Sequence, residues 1–266
     1  MPASDAPYPR AAILTAWINA WVAGDVDGLA SCPAVSPAAA VSTEVGPGSG
    51  AARAAGQPAS RRGPLGLQLQ PLGQTLALLV AEHGAQLGAT ALLPVAGDPA
   101  GLPPDARAPR ESGEVTVLSD GRPGDPQYVL FPATGGDRVT ARWRLDRAHV
   151  ASAAMVTDLR TARLQIMELL PRVVGLAESA GGRPMSDGAL RERLRLLEEV
   201  PLPPGSAPAA VELARRSAAL LAIVGAAAEG LDGDPGRRAE LLPQLRPLAT
   251  AGRQALAAAF SRAVGA

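Results

Sequence analysis

Near residue 146 the spacing of apolar residues changes period, and no other feature of this 266-residue chain constrains its fold as much. Upstream, Val139, Ala141, Trp143 and Leu145 alternate with Thr140, Arg142 and Arg144, the period of two of a strand with one wet face. Downstream, Met155, Leu159, Ala162, Ile166, Leu169, Val173 and Leu176 recur at alternating spacings of four and three, a helical heptad seam. The two sides also differ in chemistry. Six of the seven aromatic residues fall in 1–146, and only Phe260 lies beyond. Residues 1–146 hold 10 arginines against 13 acids, net −3, while 147–266 hold 15 against 12, net +3. The expected fold class is α+β. A small mixed or antiparallel sheet with helices on one face occupies 1–146, and an all-α antiparallel bundle of about four helices occupies 147–266.

Within the first part, residues 8–23 read as a helix. Ile13, Trp17 and Trp21 share a face, Pro9 suits the first turn, and Gly24 suits the stop. Residues 30–64, from Ser-Cys-Pro through Gly-Pro-Gly-Ser-Gly to Arg62, lack large apolar residues and period. They read as a flexible insertion, with a short turn or strand around 35–45 left open. Leu65, Leu67 and Leu69 alternate as a short strand, 73–83 reads as a helix ending at Gly84, and 86–95 as a strand. Residues 97–112 read as a rigid Pro-rich loop. Strands follow at 114–118, 127–131 and 138–145, joined by Asp/Gly/Pro turns. In the second part, Pro171 predicts a kink or break in the first helix, and Pro243 and Pro247 predict a split of the last one. Leu190, Leu194 and Leu197 mark one seam. Leu213, Leu220, Val224 and Ala227 mark the next, and Leu241, Leu245, Leu248, Leu256 and Phe260 the last.

Composition excludes several function classes. A zero formal net charge and a pI near 6.8 argue against a partner held by counterion release, so nucleic acid is not expected. The lone Cys32 rules out an intrachain disulfide, a zinc ribbon or a CxxC pair. No basic segment followed by an apolar run opens the chain, and no run of about 18 apolar residues occurs. A cytoplasmic protein without membrane contact is expected. All 25 basic residues are arginine, with 55 alanines, 29 glycines and 26 prolines, the bias of a high-GC bacterial genome.

No reactive constellation is evident, and no catalytic residue, metal ligand or cofactor is assigned. His83 and His149 lack a metal-spaced partner, so a surface or capping role suffices. Asp98 and Asp120 each follow a strand end, where acids position ligands but also build ordinary turns. The Gly-rich 46–50 segment lacks the Lys-Ser/Thr of a phosphate loop, and Cys32 has neither a base nor an electropositive setting in view. Arg142, Arg144 and Arg147 form a candidate patch for an anion or acidic partner, against the plainer role of charge blunting a surface strand.

The segment Ala20-Trp21-Val22-Ala23-Gly24-Asp25-Val26-Asp27-Gly28-Leu29 resembles the first helix and turn of the NTF2-like cone-shaped fold over about twenty residues. The spacing downstream shows no long curved sheet with aromatic-lined strands, and four helices end the chain, so no pocket or activity follows from the resemblance. The expected function is therefore a non-catalytic interaction or regulatory protein, self-associating or binding a protein partner through the helical half. The Ala-rich seams bury little area per residue and gain from packing on something more. The alternative is a small-ligand binder or enzyme on the sheet domain, with Asp98, Asp120 and His83 lining a cleft.

Overall fold

The protein is described by a computed structural model over residues 7–35, 39–43, 68–122, 125, 127–133, 142–150, 157–180, 187–231 and 234–263. The fold is α+β. In chain order the elements are α1 (Arg10–Ala23), β1 (Ala40–Thr43), β2 (Gln68–Pro71), α2 (Leu72–His83), a 3-10 turn (Gly84–Gln86), β3 (Gly88–Leu92), α3 (Arg107–Ser112), β4 (Val115–Ser119), β5 (Gln127–Pro132), β6 (Arg142–Ala148), α4 (Leu159–Ala180), α5 (Asp187–Leu196), α6 (Pro208–Glu229) and α7 (Pro235–Ser261). The strands form one mixed sheet in the order β2-β1-β6-β5-β4-β3. Among the described residues only β1 and β6 pair in parallel, with Val41 opposite Trp143. The other neighbours are antiparallel.

Both faces of the sheet are covered. Val41, Ala89, Ala91, Leu118, Leu130, Trp143 and Leu145 join α1 and α2 in the larger core. On the opposite face Leu92, Val115, Val117, Val129 and Phe131 pack under Leu102 and Ala106, from the segment that leads into α3. The larger core continues without interruption into the helical half, through Ile166, Leu213, Leu220, Leu256 and Phe260. Helix α7 touches both α1 and β3. Tyr8 ties the same region together: its hydroxyl donates to Leu197 O at 2.6 Å, and its ring lies 5.8 Å from that of Phe260.

The exposed edge of β3 is closed by side chains. Asn19 Oδ1 accepts from Ala89 N at 2.8 Å, and Asn19 Nδ2 donates to Ala89 O at 3.0 Å and to Ser261 O at 3.1 Å. Ser261 Oγ accepts from Ala91 N at 2.9 Å. An edge strand left open would template pairing with another chain; here α1 and α7 occupy its hydrogen-bonding groups.

Several expectations are corrected. Within the span read as a flexible insertion, where a short turn or strand around 35–45 stays open in the sequence, Ala40–Thr43 is a strand of the sheet, while 36–38 and 44–67 lie outside the described residues. That leaves the Leu65–Leu67 alternation outside as well, with the strand at Gln68–Pro71. The spacing marks five strands, and the described residues hold six; two of them have four residues each, too short to display a period. The Pro-rich 97–112 loop ends in the six-residue helix α3. Helix α7 runs unbroken through Pro243 and Pro247, and α4 runs unbroken through Pro171. All three prolines are solvent-exposed, so the carbonyls they leave unpaired face water and the rings meet no core. The α7 seam of Leu241, Leu245, Leu248, Leu256 and Phe260 is buried as its spacing implies. In α4 the inward positions Ala162 and Ile166 are buried and Leu159 and Leu169 half-buried. Met155 and the side chains of Val173 and Leu176 lie outside the described residues.

Candidate functional site

His83 is the last residue of α2, where Gly84 at φ 56° ends the helix. Gly88 pairs with Ser119, so the start of β3 and the end of β4 meet just beyond that helix end. Asp120 follows β4 and closes a turn by accepting from Arg122 N at 3.1 Å, with Gly121 at φ 77°. The result is a close approach of two sequence candidates: His83 Nδ1 lies 3.5 Å from Asp120 Oδ2. Arg122 Nε lies 3.4 Å from the same carboxylate oxygen. The His83 ring meets Tyr128 edge-on at 6.1 Å. Arg147 reaches the same tyrosine from β6, its Nη2 donating to the Tyr128 hydroxyl at 2.6 Å and its guanidinium 4.6 Å from the ring centre. His83 Nε2 is buried and has no hydrogen-bond partner among the described residues. The Asp120 carboxylate can orient the imidazole, but solvent does not reach the nitrogen that would do the acid–base work.

Asp98 is not part of this group. It follows β3 at the opposite end of that strand, where Val95 and Asp98 exchange backbone bonds and Asp98 Oδ1 accepts from Ala100 N at 3.2 Å. Its other oxygen accepts from Arg253 Nη2 at 3.0 Å and from Thr250 Oγ1 at 3.4 Å, which fastens the loop to α7. The structure thus brings together His83 and Asp120 and sets Asp98 apart as a structural ion pair.

The arginine patch divides as well. In the pleat of β6, Arg142 and Arg144 point to one face, and Arg147 points with Trp143 and Leu145 to the other. Arg144 lies 5.5 Å over the Phe131 ring and 3.9 Å from Asp146, and Arg142 is exposed. One strand carries the three residues, but alternation prevents them from meeting a single ligand.

Three further features stand apart from His83, Asp98, Asp120 and the arginine patch. Glu114 Oε2 accepts from Ala11 N at 2.8 Å in the first turn of α1. Burial raises the Glu114 carboxyl above its ordinary range, against the lowering effects of Ala11 N–H and of Arg10. Beside it Thr15 and Thr116 hydroxyls both donate to Ala11 O at 2.8 Å. Cys32 is buried, which pushes its thiol up to about 11 and leaves it protonated at neutral pH. The third feature is a groove of about 520 Å³ beside Trp17 and Trp21. In the sequence Cys32 is marked as the lone cysteine and the tryptophans as apolar residues on one helix face. Long-range partners such as Glu114 leave no signal there.

Among the described residues no group of three or more His, Cys, Asp or Glu could hold a metal ion, and no helix is long and apolar enough to cross a membrane. Residues 11–171 match the protein-family model described as Rv1486c-like protein, N-terminal domain. No curated protein and no solved structure matches the chain.

Proposed function

The chain belongs to this Rv1486c-like family, and from the geometry we propose that it is a non-catalytic interaction protein that self-associates through the outer face of α4. One observation carries this. Leu164 and Met167 are 60% and 48% exposed, and Pro171, also exposed, continues their row at the i, i+3, i+7 spacing of a helix-packing stripe. The inward seam of the same helix, Ala162 and Ile166, is spent on the core. A second apolar stripe on a helix already packed along its first is what a partner helix would cover. Arg160 and Glu168, both exposed on this helix, offer opposite charges to an antiparallel copy. Light scattering on the purified protein at micromolar concentration should give a dimer or larger. Leu164→Glu should raise the dissociation constant by at least about tenfold, because each buried leucine contributes about 1.5–3 kcal/mol. A monomer for the unaltered chain at that concentration overturns the proposal.

A second reading places a small-ligand site on the sheet half, and the His83–Asp120 contact favours it. On that reading the His83 imidazole resonances shift when small carboxylic or phosphorylated metabolites are added. Resonances that stay in place remove it.

A further inference from the structure

Two of the chain's three tryptophans stand one turn apart on α1 and open onto a single groove. Its walls are Trp17 and Trp21 of α1, Val26 and Asp27 of the following turn, Gly73 of α2 and Pro204 from the segment before α6. Its volume of about 520 Å³ falls within the range of ligand clefts. We propose that this groove binds a proline-rich peptide segment carrying a basic residue, held in an extended polyproline helix.

Three observations select that occupant. Trp17 is buried, and the half-buried Trp21 supplies a flat apolar face of the kind on which pyrrolidine rings pack. The Trp17 indole is already committed, its Nε1 donating to Pro201 O at 3.3 Å, whereas the half-buried Trp21 indole donates to nothing among the described residues. A polyproline segment offers free carbonyls and few N–H groups, so it needs a donor of this kind and asks for no acceptor. Among the described residues Asp27 is the only charged one of the lining, is exposed, and has no ion-pair partner, which favours a cation at that end. The preformed polyproline helix loses little entropy on docking, which suits a shallow groove.

The test is fluorescence anisotropy of a labelled peptide of prolines and leucines ending in arginine, titrated with the full-length protein. Three controls accompany it: the same peptide with alanine for proline, the same peptide with glutamate for arginine, and the protein variants Trp21→Phe, Asp27→Asn and Gly73→Leu. Saturable binding is expected for the first peptide, with weaker binding of both altered peptides. Trp21→Phe keeps an aromatic face, smaller than the indole, and removes the donor, and should raise Kd about fivefold. Asp27→Asn should raise it about threefold and abolish the preference for arginine over glutamate. Nothing lies within 4 Å of a Cβ built at Gly73, so Gly73→Leu fills the groove without pressing on the core and should abolish binding in a folded protein, as read by circular dichroism. Equal binding of the alanine peptide, no binding at millimolar protein, or an unaffected Gly73→Leu variant overturns the proposal. Since α4 takes no part in the groove, a monomeric protein that still binds the peptide would refute the self-association and leave this inference standing.

Discussion

Glu114 stands where the first helix has no cap of its own. Pro9 precedes α1 and supplies no side-chain acceptor, so a carboxylate more than a hundred residues away takes the amide of Ala11. The position favours a negative charge through the helix dipole, but burial works against it and burial prevails, since the carboxyl is raised overall. An acid raised in the folded state holds its proton longer there than in the unfolded chain. Its contribution to stability is therefore full below the unfolded pKa and is lost as pH rises through the folded one. Glu114→Gln keeps an acceptor for Ala11 and removes the charge. Denaturant titrations should show the variant gaining stability relative to the parent as pH rises from the carboxylate range toward neutral; parallel pH profiles would refute the assignment. No sequence pattern marks Glu114, because a cap supplied across space has no fixed offset from the helix it serves. The same holds for His83 and Asp120, which meet only because Gly88 pairs with Ser119.

At the scale of elements, the helical half shows how closely Ala- and Gly-rich helices approach. A Cβ built at Gly252 of α7 would lie 2.9 Å from Leu221 Cδ2 and 3.2 Å from Leu220 Cδ2, both on α6. Gly252 is buried, and its missing side chain sets the α6–α7 separation. Gly252→Val should cost about 1–3 kcal/mol by overpacking, measured as a lowered denaturation midpoint at unchanged slope. An unchanged midpoint would show that Leu221 moves aside freely. The long helices were legible from the sequence, since α6 and α7 each present several turns of apolar spacing and that pattern is fixed by the helix period alone. Internal prolines obscure the continuity of α4 and α7 in the sequence. The rule that proline breaks a helix presumes that the freed carbonyl and the ring have nowhere to go, and whether Pro171, Pro243 and Pro247 face water is a property of the packed molecule. Strand β1 was the hardest element to foresee: four residues in an Ala/Ser/Pro-rich stretch owe their state to the neighbours β2 and β6.

For the whole molecule, the halves on either side of residue 146 share a core, and α7 closes the edge of β3 that begins more than a hundred residues earlier. Asp98 and Arg253 add an ion pair between the same partners. Such coupling predicts a single cooperative transition. All three tryptophans lie in the first part and most helix lies in the second, so tryptophan fluorescence and far-ultraviolet circular dichroism report on opposite halves. Their thermal transitions should coincide; two separated midpoints would show that the halves unfold independently. The amino-acid sequence alone determined the α+β class, the change of period near residue 146 and which faces of the long helices turn inward, because backbone geometry translates spacing directly into a face. Tertiary structure alone decided which side chains from distant segments became neighbours: Asp120 beside His83, Asp98 on Arg253, Arg147 turned away from Arg142, and two tryptophans bordering Asp27 and Pro204. Those meetings depend on strand register and on how helices dock, and one-dimensional order carries neither.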